Sequence, residues 1–380
     1  MKYIDLHCDT LTELKEGETL VRNHKNVDLK SLKKGGCVIQ CASIFIPTGT
    51  YTGVDRKEAI QTEYDRVVSV YKRELNANPK ELYRVLTRRD IPDIRQNDKM
   101  QDLGTGILLT IEDGGVMGGE MQKLYRAYED GVRLVTLTWN HENEIGYPNS
   151  TDRDIMQKGL KPFGFEVLEE MNRLGMVIDV SHLSDGGFLN VAEFAKKTGM
   201  PFVASHSNAR AITAHPRNLP DMYIRKLSEA GGVMGLNFAS HFLSDTQPPD
   251  GESRICDMVT HILHIRKIAG SEVLAIGSDF DEIFKRFGNE QLILKFVKSF
   301  EKDKSFSELC EGFEEKDIEK AFRAAHTLKG VSVNLGFSEL YAASSELTEV
   351  LRAKTFDGSS PLFEKVKEQY NKVISGLRSL

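Results

Sequence analysis

The chain has 380 residues with 40% hydrophobic and 28% charged content, ordinary for a globular protein and long enough for two or three domains. Its formal charge of −6 argues against non-specific nucleic-acid binding, which needs a basic face, and no apolar run reaches the ~18 residues of a membrane span. The opening MKYIDLHCDT has no apolar signal-peptide region, and the five scattered cysteines (Cys8, Cys37, Cys41, Cys256, Cys310) lack CxxC spacing, which suits a reducing cytoplasm.

Eight short apolar or β-branched runs follow one another up to residue 280. They are KYIDLH (2–7), CVIQCASIFI (37–46), GILLTIE (106–112), RLVTLTW (133–139), MVIDVSH (176–182), PFVASH (201–206), GVMGLNF (232–238) and EVLAIGSDF (272–280). Most are continuous rather than alternating, as expected of parallel strands buried on both faces. Helical patterns lie between most of them, for example at 56–75, 162–175, 186–199 and 257–270. Eight strand–helix alternations predict a (β/α)8 TIM-like barrel. A doubly wound open sheet is the alternative, although no GxGxxG follows the first strand.

After residue 283 no strand candidate remains. Helices are expected at about 289–302, 305–313, 315–334, 337–353 and 360–379, which reads as a small all-α bundle. The stretch GSDFDEIFKRFGNEQ (277–291) joins the two kinds of chain without a Pro-, Gly- or Ser-rich linker.

The strand ends carry the chemistry. His7 and Asp9 in IDLHCDT lie two apart, so a period of two puts both on one face. Alone the pair is a weak signal, more often a hydrogen-bonded core feature than a metal site. The third run, however, ends in Glu112, the fifth in His182, the sixth in His206 and the eighth in Asp279. In a parallel barrel these ends share the C-terminal mouth. Imidazole and carboxylate suit a divalent metal such as zinc, and a buried carboxylate is costly unless paired or metal-bound. If Glu112 bridges, one ion would take His7, Asp9 and Glu112 and a second Glu112, His182 and His206. Two such ions lower the pKa of a water and polarise a carbonyl, which suits hydrolysis. Asp279, with no ion assigned, could move a proton between water and a leaving amine.

IDLHCDT, TIEDG, LTWNHEN, VIDVSHLS, PFVASHSNARAITAHPRNL and AIGSDFD resemble, in order over residues 2–281, the motifs of the renal (membrane) dipeptidase family and its soluble microbial members. The resemblance implies a (β/α)8 barrel, a binuclear zinc centre and hydrolysis of dipeptides, some with a D-residue at the C-terminal position. It matches His7, Asp9, Glu112, His182 and His206 to the metal ligands, Arg217 to the arginine that holds the substrate carboxylate, and Asp279 to the acid of the eighth strand. Where many relatives have a substrate-contacting histidine this chain has Trp139. His141, two residues on, either replaces it or is a surface-loop histidine. His215 is expected to be structural, and His24, His241, His261 and His264 to be surface or packing residues. Cys8 alternates away from His7 and Asp9 and is expected to pack. Relatives also read DFDG and continue into a final helix and C-terminal segment, which are missing after DFDEI here.

In the tail, AFRAAHTLKG places His326, Lys329 and Gly330 on one helical face, with Ile318, Ala321, Ala325 and Leu328 forming a separate apolar stripe. An exposed imidazole is a nucleophile for phosphoryl transfer, a lysine one turn on offsets phosphate charge, and a glycine lets another surface approach. Residues 283–375 resemble the histidine phosphotransfer (HPt) domain, a four-helix bundle. The resemblance makes His326 the phosphoacceptor, Lys329 its phosphate-side partner, Gly330 the small neighbour, and a response-regulator receiver domain the partner. The expectation is a metallo-dipeptidase barrel (1–282) fused to an HPt domain (283–380), with a dipeptide substrate, two zinc ions bridged by Glu112, a cytoplasmic location, no nucleic-acid or membrane partner, and a homodimer compatible with it. The competing reading is a phosphorelay protein whose barrel is a non-catalytic scaffold or ligand sensor.

Overall fold

The structure is a computed structural model that describes residues 2–21, 23, 25–92, 104–246, 253–280, 303–334 and 337–378. The chain divides into two compact units, Met1–Phe287 and Gly288–Leu380.

Among the described residues nine strands build the first unit: β1 (Tyr3–Cys8), β2 (Cys37–Phe45), β3 (Leu82–Arg84), β4 (Thr105–Glu112), β5 (Val132–Thr136), β6 (Val177–Asp179), β7 (Val203–Ala204), β8 (Val233–Leu236) and β9 (Leu274–Ile276). Eight of them pair in parallel around a closed ring, β1–β2–β4–β5–β6–β7–β8–β9, which closes through Asp5 opposite Ile276. The expected barrel is therefore present. β2 shows why continuous apolar runs led to it: every residue from Cys37 to Ile44 is buried. Helices cover the outside, among them Arg56–Ala77, Met121–Asp130, Pro162–Leu174, Asp185–Thr198, Asp221–Glu229 and Ile255–Ala269.

β3 was not expected. It pairs with Thr105–Ile107 at the start of β4, outside the ring, and its three residues are too few for a periodic signal. Except for the runs at β1 and β4, the runs were read longer than the strands they make. PFVASH (201–206) yields only Val203–Ala204 as strand, because Ser205 and His206 already turn toward the mouth. The ring pinches there. A Cβ on Gly235 or Gly277 would lie 1.9 and 1.7 Å from the Ser205 carbonyl oxygen, so only glycine lets β8 and β9 approach the end of β7.

The second unit has four described helices, Ser305–Glu314, Ile318–Asn334, Ser338–Arg352 and Ser359–Arg378. Leu309, Ala321, Ala325, Leu328, Leu340, Leu347, Leu351 and Val366 form its core, with Phe306 stacked on Tyr370 at 3.8 Å and Phe313 on Phe363 at 4.1 Å. The second helix starts at Ile318 rather than at 315. Lys316 has φ of 55°, which no helix tolerates, and Asp317 then caps the helix by accepting from the Glu319 and Lys320 amides at 3.0 Å. The helix expected at 289–302 and the missing end of the barrel concern residues outside those described.

Candidate active site

β1, β4, β6, β7 and β9 deliver five ligand candidates and Asp279 to one buried cluster. His7 Nε2 lies 3.5 Å from Asp9 Oδ1 and 3.3 Å from Glu112 Oε2. On the other side of the same carboxylate, Glu112 Oε1 is 3.0 Å from His182 Nε2 and 3.4 Å from His206 Nε2. Those two nitrogens are 3.1 Å apart, and the His7 and His206 rings stack at 3.8 Å. His7, Asp9 and Asp279 also bring ligand atoms within 4.8 Å of one another, as do His7, Glu112 and His206.

The outer ring nitrogens decide which tautomers are present. His182 Nδ1 is 3.1 Å from Asn140 Oδ1, an acceptor, so Nδ1 carries the proton. His206 Nδ1 is 2.7 Å from Ser205 Oγ, whose own proton goes to Asp179 Oδ2, so it too donates. Both Nε2 atoms then present lone pairs to each other and to Glu112. Three acceptors within 3.4 Å with no proton between them repel unless a cation sits among them. Imidazole with carboxylate is the donor set of zinc, so these residues fit a divalent metal.

Electrostatics agree at two of the three histidines, His182 and His206. Burial, reinforced by the Arg217 charge, drops the His182 imidazole to about 4. Burial with the charges of His7 and Arg217 holds His206 well below its ordinary value. Both are neutral near pH 7, the ligating form. For His7 burial opposes the charge, but the Glu112 and Asp9 carboxylates outweigh it and hold it well above the ordinary range. Burial also works against ionised Glu112, where the His7 charge contributes most to reversing it and keeps that carboxyl low. Burial and Glu112 push Asp9 up.

Arg217 is buried. It donates from Nη1 to Ser207 Oγ at 3.2 Å and from Nη2 to the His206 carbonyl at 3.0 Å, and packs 5.5 Å from the Phe242 ring centre. Its Nε finds no hydrogen-bond partner among the described residues. His215 accepts the Arg217 backbone amide at Nδ1, at 3.1 Å, and packs on Phe242, as a structural residue should. Asp279 Oδ2 accepts from Asn237 Nδ2 at 2.9 Å. His141 is exposed at the mouth, 5.8 Å from Trp139, which in turn lies 6.3 Å from His182.

His261 is fully buried between the Ala209 amide and the Leu243 carbonyl, His264 pairs with Asp221, and Cys8 packs in the core. His241 is half-buried against Phe242, and His24 lies outside the described residues. In the helical unit His326 is exposed, Lys329 Nζ lies 3.8 Å from Glu349, and a Cβ at Gly330 would meet nothing within 4 Å.

Sequence reasoning missed a set of supporting residues. Three buried aspartates hold the strand ends by one recurring pattern. Asp5 takes the amides of His7 and Ser278 and the Ser278 hydroxyl. Asp179 takes the amides of Ser181 and Ser205 and the Ser205 hydroxyl. Asp113 takes the amides of Gly115 and Thr48 and the Thr48 hydroxyl. Each stitches two neighbouring chain segments beside a site residue. Asp113, His182 and Asp279 have φ of 76°, 65° and 54°, left-handed conformations that non-glycine residues adopt only where the surroundings impose them.

A closed parallel barrel whose strand ends gather histidines and carboxylates at one mouth is the architecture of a barrel hydrolase. The chain belongs to the membrane dipeptidase family, peptidase family M19, whose model matches residues 1–329. The Hpt domain matches residues 291–376. An uncharacterized protein in the pqqA 5′ region of Klebsiella pneumoniae is 35% identical over 189 residues, 48% of this chain and 68% of that protein. An uncharacterized dipeptidase of Schizosaccharomyces pombe is 32% identical over 264 residues, 68% of this chain but only 61% of that relative's length. A metallopeptidase from Rhodobacter sphaeroides, solved with a phosphinate mimic of the dipeptide L-Ala-D-Ala, shares the fold with a TM-score of 0.58 at 22% identity, covering 74% of this chain and 86% of that one. No helix among the described residues is long and apolar enough to cross a membrane.

Proposed function

We propose that the barrel hydrolyses dipeptides at a binuclear zinc centre held by His7, Asp9, Glu112, His182 and His206, with Glu112 shared, and that the helical unit relays phosphate through His326. The observation that carries the first part is the convergence of the His182, His206 and Glu112 lone pairs within 3.4 Å. When bound, such a pair of ions supplies Lewis acidity and acidifies a water at neutral pH.

The chain's own residues do the rest. Arg217, buried and with Nε unpaired, would receive the substrate carboxylate, a role suited to a guanidinium fork. Asp279, held by Asn237, would move a proton between water and the leaving amine. Trp139, half-buried at the mouth, and exposed His141 would border the substrate. The ligand of the Rhodobacter relative supports a dipeptide, with a D-residue at its C-terminal position. A non-catalytic scaffold would have no use for so many mutually repelling ligand atoms.

In the helical unit the exposed His326 imidazole would take a phosphoryl group from a receiver aspartate: the acyl P–O bond breaks as the P–N bond forms, and Lys329 offsets the charge. The free thiols fit a cytoplasmic location, and the division of labour runs 1–282 and 283–380. Metal analysis with a dipeptide-hydrolysis assay tests the barrel. Two zinc ions per chain and turnover abolished by His182→Ala are expected; a metal-free, inactive wild type would reject it. Incubation with a phosphorylated receiver tests the tail, and absence of acid-labile phosphate dependent on His326 would reject that part.

A further inference from the structure

We propose that Asp179 is a positioning residue which, acting through Ser205, fixes the proton of His206 on Nδ1 and holds Nε2 open toward Glu112 and His182. The inference rests on the metal-centre reading but concerns the protein alone.

Asp179 ends β6 and is fully buried. Its Oδ1 accepts the Ser181 amide at 3.0 Å and the Ser205 amide at 2.8 Å; its Oδ2 accepts the Thr136 hydroxyl at 2.6 Å and the Ser205 hydroxyl at 2.5 Å. A carboxylate with four donors and, among the described residues, no cation touching it is a fixed acceptor rather than half of an ion pair. Ser205 has one hydroxyl proton, and its other neighbour, Ser181 Oγ, is farther away at 3.4 Å. The proton therefore goes to Asp179, and what Ser205 Oγ offers His206 Nδ1, 2.7 Å away, is a lone pair. A ring nitrogen facing a lone pair at that distance must be the donor.

The turn just after β6 also fixes the His206 backbone, since the Ser181 hydroxyl accepts its amide at 3.0 Å. Ring and main chain are thus both referred to the end of β6 and the turn that follows it. Without the serine hydroxyl, nothing in this arrangement distinguishes the two tautomers except repulsion at Nε2, and that repulsion would be relieved by moving the proton there. Nε2–H would point at His182 Nε2 and Glu112 Oε1, 3.1 and 3.4 Å away, and close the site to a cation. Groups that orient a ligand from behind typically change metal affinity by about 10–100-fold.

The test is nitrogen-15 NMR of the histidine rings in the full-length chain, before and after removal of metal with a chelator, together with zinc affinity by competition with a chromophoric chelator. The wild type should show protonated Nδ1 and bare Nε2 at His206 in both states. Ser205→Ala should give a tautomer mixture in the stripped protein and weaken zinc binding by about 10–100-fold, and Ser205→Thr, which keeps the hydroxyl, should restore both. A protonated Nε2 in the stripped wild type would overturn the proposal, and that measurement needs no variant to fold. An unchanged tautomer and affinity in Ser205→Ala would overturn it equally. If Nδ1–H is found in a chain that takes up no zinc, the relay stands and the metal centre falls.

Discussion

His182 Nε2 stands 3.1 Å from His206 Nε2, and each has its other nitrogen engaged in donating elsewhere. Two lone pairs at that separation, facing a carboxylate oxygen, make an arrangement that a cation stabilises. Zinc should therefore raise the unfolding midpoint of chelated protein, and by linkage a free concentration of about 100 times the dissociation constant adds about 2.7 kcal/mol. Differential scanning calorimetry with and without zinc checks this. His182→Ala should abolish most of the zinc-dependent rise while leaving the chelated protein folded.

Asp279 should be dispensable for metal but not for turnover. Asn237 donates to one of its oxygens at 2.9 Å, and Asp279→Asn keeps the size while removing the proton-moving carboxylate. The expected outcome is zinc content near wild type with kcat lowered by about 10²–10⁴-fold, the usual worth of a general acid–base. Retention of full activity would remove Asp279 from the reaction.

Arg217 should act on substrate binding. Its guanidinium is buried, two of its donors are spent on Ser207 and His206, and burial alone pulls its pKa below the ordinary value. A hydrogen bond to a charged partner is worth about 1.5–3 kcal/mol. Arg217→Lys, which loses the fork, should raise KM for a free dipeptide by about 10–100-fold with a much smaller change for the C-terminal amide. Equal effects on acid and amide would argue against a carboxylate partner.

Chelated protein should lose stability as the pH falls below about 6.5. His182 and His206 have folded-state pKa values depressed from 6.5, so in this window the unfolded chain binds the extra protons and acid favours it. Asp9, raised by burial, opposes them with one proton, while Glu112, lowered, adds to the loss below about 4.5. His7 is raised, so its contribution is complete below 6.5 and is lost only as pH rises through its folded value. Asp5 and Asp113, also raised by burial, oppose the loss as Asp9 does, while His215 and His261, lowered by burial, add to it, so four histidines against three aspartates leave a net loss on acidification. Urea midpoints at a series of pH values would show it, and a flat profile from about 6.5 to 4.5 would contradict it.

The residues of the buried cluster were legible because a histidine or acid at the end of an apolar run has few structural excuses, and parallel strands point such ends the same way. Glu112 closing GILLTIE and His206 closing PFVASH are the clearest cases. What holds them was not legible. Asp5, Asp113 and Asp179 do their work through amides and hydroxyls of neighbouring strands, up to 273 residues away for Asp5 and Ser278. A sequence shows no such pairing until the ring is closed. A weak signal did exist, since an aspartate inside an apolar run (Asp5 in KYIDLH, Asp179 in MVIDVSH) must be paid for by donors. Asn140 was passed over beside Trp139 and His141, although it is the member of that trio that touches His182.

Gly330 offers a way to separate fold from function in the helical unit. It lies within the helix Ile318–Asn334, where glycine costs about 0.8–1 kcal/mol relative to alanine, and a Cβ there would meet nothing within 4 Å. The fold therefore gains nothing from the missing side chain. One helical turn away, His326 is exposed, and Lys329 is only loosely held by Glu349 at 3.8 Å. A residue that costs stability and relieves no crowding is explained if a partner must approach the helix at that point. Gly330→Ala should raise the unfolding free energy of the unit by up to about 1 kcal/mol and yet slow phosphoryl transfer from a receiver to His326. A larger residue, Gly330→Leu, should slow it further while leaving the helix intact. Stopped-flow or gel-based transfer kinetics alongside urea denaturation would read both, and a stabilised variant with unimpaired transfer would mean that the receiver does not come close to this position.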